Sequence, residues 1–176
     1  MKKMLGEERR NFLLNQLKEA KSALTGTDLA NIVNVSRQVI VNDINLLKAK
    51  NEPIISTSQG YLYIAANQQA KSYERKIVSH HLPEKTKEEL FTIVDYGATV
   101  KNVIVEHPVY GEITANLHVS SRLEVEKFIQ QLQETRATLL SALTDGTHLH
   151  VIEAASEDIL DQVVDKLREK GFIIEN

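Results

Sequence analysis

The spacing of apolar residues predicts that the chain begins with three helices. Apolar residues recur at helical spacing over residues 7–20 and form one face of a first helix. A short second helix follows residues 25–28, whose Thr and Asp side chains are suited to cap it, and a third runs from Ser36 to about Lys50. Because only a few residues separate the last two helices, the spacing is that of a helix-turn-helix.

The third predicted helix has one apolar face and one polar face. Since side chains advance about 100° per residue, Ile40, Ile44 and Leu47 fall together on a packing face. The opposite face carries Arg, Gln and Asn in place of the Glu and Lys that usually cover a solvated helix. Arg suits the edge of guanine, and Gln and Asn suit the edge of adenine. We therefore expect this face to read base pairs in DNA.

Residues 53–64 contain two β-rich runs around a Ser/Gln/Gly turn, which predicts a β-hairpin. A hairpin directly after a helix-turn-helix is the wing of a winged helix, and its tip is expected to approach the sugar-phosphate backbone. The residues predicted to contact DNA from the third helix and the wing are Ser36, Arg37, Gln38, Val41, Asn42, Asn45, Lys48 and Ser58.

The pattern after residue 80 alternates between strands and helices. Helices are predicted over residues 84–96, 121–134 and 156–170, and strands over residues 100–106, 112–119, 138–143, 148–153 and 172–174. From residue 111 the order is strand, helix, strand, strand, helix, strand, which is the βαββαβ order of a ferredoxin-like sandwich. The predicted fold class is therefore α+β, with an N-terminal winged helix-turn-helix followed by a C-terminal α/β sandwich.

These patterns divide the chain into a DNA-binding domain (residues 1–66), a polar linker or connecting helix (67–80) and a regulatory domain (81–176). The charge distribution also divides the chain. Residues 1–76 contain 12 Lys and Arg against seven Asp and Glu, whereas residues 77–176 contain nine against 17. A basic first half joined to an acidic second half indicates that the first half meets a polyanion such as DNA.

Composition limits the remaining function classes. The 176 residues are 42% apolar and 26% charged, an ordinary globular mixture. No run of 18 apolar residues predicts a membrane span, and the charged start lacks the apolar segment of a signal peptide, so a cytoplasmic location is expected. Because the chain has no cysteine, a metal site must be built from His, Asp or Glu.

Histidine and one glutamate supply the candidate chemistry. His148 and His150 lie two residues apart in a predicted strand, so their rings point to the same face. Glu89 lies on the apolar stripe of the helix that follows Pro83, where a carboxylate costs several kcal/mol unless a cation or hydrogen-bond donors meet it. Ordinary alternatives are a solvated strand face for the two histidines and a salt bridge for the glutamate.

The sharper hypothesis joins these clues into one metal site. In it, His81, Glu89, His148 and His150 hold one divalent transition metal per chain, since nitrogen and oxygen ligands suit Ni, Zn or Fe. His80 competes with His81 as the first ligand, and the spacing leaves that choice open.

The same residues carry a resemblance to a known family. The stretches involved are His81-Leu82-Pro83-Glu84, Glu88-Glu89-Leu90, residues 105–113 and His148-Leu149-His150. They resemble the three-histidine domain of the nicotinate-responsive repressors of NAD biosynthesis, the NiaR family. Residues 7–65 are similar to the winged helices of biotin-repressor type. The likeness therefore extends over nearly the whole chain.

The resemblance implies a homodimeric repressor that binds operator DNA, takes nicotinic acid as corepressor and controls genes of NAD synthesis or niacin uptake. It also implies a transition metal held by His81, Glu89, His148 and His150. We expect His107 to line the effector pocket and Arg122 to pair with the effector carboxylate. The alternatives are a metal-dependent enzyme acting on a small carboxylate, because a His/Glu site can activate water, and a regulator for which the metal itself is the signal.

Overall fold

A computed structural model describes residues 4–64 and 72–174 of the chain. The chain separates into two compact units, with the division between residues 69 and 70. None of the helices among the described residues is long and apolar enough to cross a membrane.

The first unit consists of three helices and a hairpin. The elements are α1 (Gly6–Glu19), α2 (Gly26–Ile32), α3 (Arg37–Ala49), β1 (Ile54–Thr57) and β2 (Gly60–Tyr63). Thr25 and Ser36 cap α2 and α3, because each side chain accepts a hydrogen bond from a backbone N–H three residues later. Apolar residues of all three helices form one core, which includes Leu13, Leu29, Ile40 and Ile44. The winged helix-turn-helix predicted from the sequence is confirmed.

Gly60 holds the base of the wing against the start of α2. Its φ angle of 122° disfavours other residues, and a Cβ at this position would overlap the carbonyl group of Leu24. The close approach lets Leu24 and Tyr61 exchange backbone hydrogen bonds of 3.0 and 2.8 Å. The β1–β2 hairpin is thereby fixed to the helical part of the unit.

The second unit is a four-stranded antiparallel sheet covered by helices. Its elements are β3 (Tyr73–His80), α4 (Thr86–Asp95), β4 (Thr99–His107), β5 (Gly111–Val119), α5 (Arg122–Thr135), β6 (Thr147–Ala154) and α6 (Glu157–Glu169). The strand order is β3-β6-β4-β5, so β6 lies between the two strands that α4 connects. The core between sheet and helices includes Leu90, Ile93, Val100, Ile152 and Leu160. The α+β class is confirmed.

Three segments differ from the predictions, and one of them is residues 172–174, where the predicted strand is only an isolated bridge between Ile173 and Ser79. Residues 73–80 form β3, whereas the sequence interpretation assigned residues 67–80 to a linker or connecting helix; residues 67–71 lie outside the described residues. Residues 138–143 form no strand, because residues Leu140–Thr144 adopt a 3-10 helix. The βαββαβ order is therefore present, but it begins at β3 and not at residue 111.

Candidate functional site

Four side chains from α4, from β6 and from the residue that follows β3 meet beside the sheet. His81 follows β3, Glu89 lies on the buried face of α4, and His148 and His150 share one face of β6. All four are buried, and Glu89 has no exposed surface. The structure therefore brings together the four residues that the sequence analysis joined.

The three imidazoles converge on one carboxylate oxygen. The Nε2 atoms of His81, His148 and His150 lie 2.6, 3.2 and 3.4 Å from Glu89 Oε2. The other carboxylate oxygen, Glu89 Oε1, is buried and has no hydrogen-bond partner among the described residues. His81, Glu89 and His148 each present one ligand atom, and these atoms lie within 4.8 Å of one another. We call His81, His148, His150 and Glu89 the His/Glu cluster.

The opposite nitrogen of each ring is held by a backbone carbonyl. His81 Nδ1 lies 2.9 Å from the oxygen of Leu82, His148 Nδ1 lies 2.8 Å from that of Gly146, and His150 Nδ1 lies 2.7 Å from that of Asn102. Because a carbonyl only accepts, each Nδ1 carries a proton. A neutral ring then points the lone pair of Nε2 at the carboxylate. The Nε2 lone pairs and the negative carboxylate repel each other. The cluster is therefore stable only when the imidazoles gain protons or when a cation lies between these groups.

The charges within the His/Glu cluster stabilise one another. Burial acts to raise the pKa of Glu89, but His150 and the other two imidazoles oppose it and hold this pKa well below its ordinary value. Burial acts to lower the pKa of His81 and of His150, but the charge and hydrogen bonds of Glu89 outweigh it, so both pKa values are raised. The cluster is thus built to hold positive charge around one buried carboxylate.

Gly146 positions two of the histidines. Its carbonyl oxygen accepts hydrogen bonds from His148 Nδ1 and, at 3.4 Å, from the backbone N–H of His81. Its φ angle is 94°, and a Cβ would overlap the carbonyl oxygen of His81. Gly146 lies between two segments predicted as strands, and nothing in its local sequence pattern reveals that His81 lies against it.

A cavity of about 240 Å³ opens beside the His/Glu cluster. Glu89, His148 and His150 contribute to its wall, and most of the remaining wall is apolar. The other lining residues are Thr86, Leu90, Val103, Ala115, Leu117, Phe128, Leu132, Thr138, Leu139, Leu140 and Ser141. The volume lies below the range of about 300–1,000 Å³ typical of drug-sized ligands. It therefore suits a small molecule with an apolar body.

Three residues that the sequence analysis considered for this site have other roles. His107 does not line the cavity; its Nδ1 accepts hydrogen bonds from the backbone of Val109 and Tyr110 and closes the turn between β4 and β5. Arg122 also lies elsewhere, because its guanidinium pairs with Asp95 at 2.6 and 2.5 Å. His80 is exposed and contacts Thr147 Oγ1, so His81 is the residue that meets Glu89.

The face of α3 expected to read DNA is accessible. Ser36, Arg37, Gln38, Asn42 and Asn45 are exposed, and Val41, Lys48 and Ser58 are half-buried. Two contacts order this surface. Gln38 donates to Asn42 at 3.2 Å, and Lys48 donates to Ser56 of the wing at 2.7 Å.

The packing side of α3 contains a charged residue that the helical pattern did not reveal. Asp43 is buried, and its carboxylate pairs with Arg9 at 2.6 Å and with Arg10 at 3.5 Å. These contacts join α3 to α1. Since the two partners lie more than 30 residues away in the sequence, the pairing was not evident from the pattern of α3 alone.

Comparisons with known proteins agree with both units. Residues 9–62 match a helix-turn-helix domain, and residues 74–176 match the 3H domain. The chain is 55% identical over 175 residues to the transcription repressor NadR of Bacillus subtilis, covering 99% of this chain and 97% of that protein. It is 39% identical over 173 residues to the probable transcription repressor NiaR of Thermotoga maritima, covering 98% and 97%. The chain belongs to the NiaR family of transcription repressors.

Membership of the NiaR family decides between two of the function classes that the sequence left open. The family members named above are repressors with a helix-turn-helix, so this protein is a DNA-binding transcription repressor and not an enzyme. The His/Glu cluster and the cavity both lie within the 3H domain.

Proposed function

We propose that this protein represses genes of NAD synthesis or niacin uptake, with nicotinic acid as corepressor and one divalent transition metal in the 3H domain. The metal ligands are His81, Glu89, His148 and His150. The single observation that carries the proposal is the convergence of three Nε2 atoms on Glu89 Oε2 at the wall of a small cavity.

The donor set fits a divalent transition metal. Imidazole nitrogen and carboxylate oxygen suit Ni, Zn and Fe, and the backbone carbonyl on each Nδ1 is the usual support of a metal-binding histidine. The partnerless oxygen of Glu89 gives the carboxylate a free donor atom. When bound, the metal supplies positive charge where the lone pairs of the cluster otherwise repel one another.

Nicotinic acid fits the cavity in size and in chemistry. Its flat ring suits the apolar wall formed by Leu90, Val103 and Phe128, and its carboxylate suits the end of the cavity that the metal makes positive. Neither His107 nor Arg122 contributes to this pocket, so the proposal does not depend on them.

On the DNA side, we propose that the protein is a homodimer in the cytoplasm and that its two copies of α3 enter successive major grooves. Such a dimer reads a pseudo-palindromic operator with half-sites about 34–36 Å apart. Ser36, Arg37, Gln38, Val41, Asn42, Asn45, Lys48 and Ser58 form the proposed contact surface. Effector binding in the 3H domain then changes the affinity for the operator.

One experiment tests the metal and the effector together. The metal content of the purified protein is measured by elemental analysis, and operator duplexes enriched from a random pool are titrated with and without nicotinate. We expect one metal per chain and tighter operator binding with nicotinate. The His81→Ala variant is expected to lose both properties, whereas His80→Ala, which removes the exposed neighbour, retains them.

Three results contradict the proposal in different ways. Operator affinity that nicotinate leaves unchanged in the metal-loaded protein removes nicotinic acid as the effector. Operator affinity that follows metal concentration without nicotinate makes the metal itself the signal. Equal metal content in His81→Ala and the wild type removes the metal from the His/Glu cluster.

A further inference from the structure

Thr86 carries a buried hydroxyl in the wall of the cavity beside the His/Glu cluster. Its side chain lines the cavity, its exposed fraction is 8%, and its Oγ1 has no hydrogen-bond partner among the described residues. Leaving a buried hydroxyl unpaired destabilises a fold, because the hydrogen bond to water that the group loses on burial is not replaced. A valine has nearly the same shape and avoids that cost, so the threonine requires another explanation.

Thr86 lies beside the charged end of the cavity. It begins α4 and precedes Glu89 by three residues, a spacing that places two side chains next to each other on one helix face. Glu89 Oε1, the other buried polar atom without a partner in this wall, belongs to that neighbour. Thr86 Oγ1 and Glu89 Oε1, which have no hydrogen-bond partner among the described residues, therefore lie on the same face of α4. Both residues line the same cavity.

The cavity lacks an ordinary partner for an anion. Among the described residues that line it, none is Lys or Arg, and Arg122 is engaged with Asp95 outside it. Hydroxyl groups of the wall can supply hydrogen bonds to an anionic ligand, and the cation proposed at the His/Glu cluster can compensate its charge. Among the described residues that line the cavity, Thr86 is the one whose hydroxyl is fully buried and has no hydrogen-bond partner.

We infer that Thr86 is an effector-binding residue whose hydroxyl donates a hydrogen bond to the anionic group of a small ring carboxylate in this cavity. The inference rests on the proposed function, because it takes the cavity as the effector site. It makes the carboxylate end of the ligand the part that Thr86 recognises. Thr86 thereby favours an acid over its neutral amide, because a hydrogen bond to a charged group is stronger than one to a neutral group.

The test compares Thr86→Val with Thr86→Ser and with a control on the same helix. Thr92→Val is the control, since Thr92 is equally buried but donates to the carbonyl of Glu88, and it is absent from the cavity wall. Binding of nicotinate and of nicotinamide to the Ni²⁺-loaded and Zn²⁺-loaded full-length proteins is measured by calorimetry. The melting temperature of each ligand-free protein is measured in parallel.

We expect Thr86→Val to weaken nicotinate binding at least about tenfold, the effect of losing one hydrogen bond to a charged group. Thr86→Ser restores most of the affinity, and Thr92→Val leaves it within about twofold. Nicotinamide binds the wild type weakly, and Thr86→Val changes that binding little. The melting temperature of ligand-free Thr86→Val is not lower than that of the wild type, because the hydroxyl makes no internal bond.

The outcomes separate this inference from the proposed function. If the wild type binds nicotinate and Thr86→Val binds it equally well, Thr86 is not an effector-binding residue, and the proposed function stands. A melting temperature several degrees lower in Thr86→Val assigns the hydroxyl a structural role and also overturns the inference. If neither metal-loaded wild-type protein binds nicotinate, the proposed function fails, and the inference fails with it.

Discussion

At the scale of single residues, the His/Glu cluster depends on a position that contributes no side chain. Gly146 accepts hydrogen bonds from His81 and His148, and its backbone conformation has a φ angle of 94°. Any Cβ here meets the carbonyl oxygen of His81. His81 and His148 therefore keep their separation because Gly146, which precedes β6, has no side chain.

This dependence predicts that Gly146→Ala impairs metal binding as well as stability. The unfavourable φ angle costs about 1–3 kcal/mol, and the overlap with His81 displaces one ligand. We expect metal affinity to fall by about 10–100-fold, as for the loss of other groups that orient metal ligands. Competition with a chromophoric chelator measures the affinity, and denaturant unfolding measures the stability.

Gly97→Ala provides a matched control for this prediction. Gly97 has a φ angle of 89°, close to that of Gly146, but an added Cβ meets no atom within 4 Å. The control variant therefore carries the conformational cost without the displacement of His81. Equal metal affinities in the two variants would show that Gly146 does not position the ligands.

The sequence revealed the residues of the His/Glu cluster better than the residues that position them. Glu89 was recognisable because a carboxylate on an apolar stripe must have a partner, and the structure provides three imidazoles. His148 and His150 followed from the two-residue period of a strand. Gly146 and Asn102 act through their backbone carbonyls, which every residue has, so sequence pattern carried no signal for them.

At the scale of elements, α3 combines a packing face with the exposed face that we propose reads DNA. Ile40, Asp43 and Ile44 are buried, and Asp43 pairs with Arg9 of α1. The opposite side exposes Arg37 and Gln38. Because the two faces share no residue, we expect substitutions on the exposed face to change the affinity for DNA and to leave the packing of the core unchanged.

We predict that Arg37→Ala weakens binding to the enriched operator by about 1–3 kcal/mol and relaxes base preference at one position, as expected for a bidentate contact. Its melting temperature stays near that of the wild type. Fluorescence anisotropy at fixed salt measures the affinity. Lys166→Ala, which removes an exposed positive charge from α6, is the control and leaves operator binding unchanged. Unchanged affinity in Arg37→Ala excludes this residue from the groove.

Helices were predicted correctly where the apolar periodicity and a capping residue indicated the same helix. The predictions failed for segments that lacked this agreement. Ser36, Ser121 and Ser156 cap the helices that the sequence predicted. The strand β3 was missed because it lies at the edge of the sheet and contains three consecutive charged residues, Glu74-Arg75-Lys76, a composition that is typical of a linker. Residues 138–143 have the composition of a strand, but residues 138–141 line the cavity and Leu140–Thr144 form a 3-10 helix.

At the scale of the whole molecule, repression by a corepressor is a coupling of two binding equilibria. The helix-turn-helix domain binds DNA, and the proposed effector site belongs to the 3H domain. If nicotinate strengthens operator binding by some factor, thermodynamic linkage requires that the operator strengthen nicotinate binding by the same factor. This reciprocity tests the corepressor role without assuming any particular motion.

We predict a coupling factor of about 5–150 in the metal-loaded protein, the usual range for such systems. Operator affinity is measured with and without saturating nicotinate, and nicotinate affinity with and without saturating operator, at one salt concentration because DNA binding is strongly salt-dependent. Removing the metal with a chelator, or replacing His81 with Ala, is expected to bring the factor to about one while basal operator affinity changes little. A scrambled duplex is the control for the second titration. Nicotinate affinity that is the same with operator and with the scrambled duplex means that nicotinate binding is not coupled to repression.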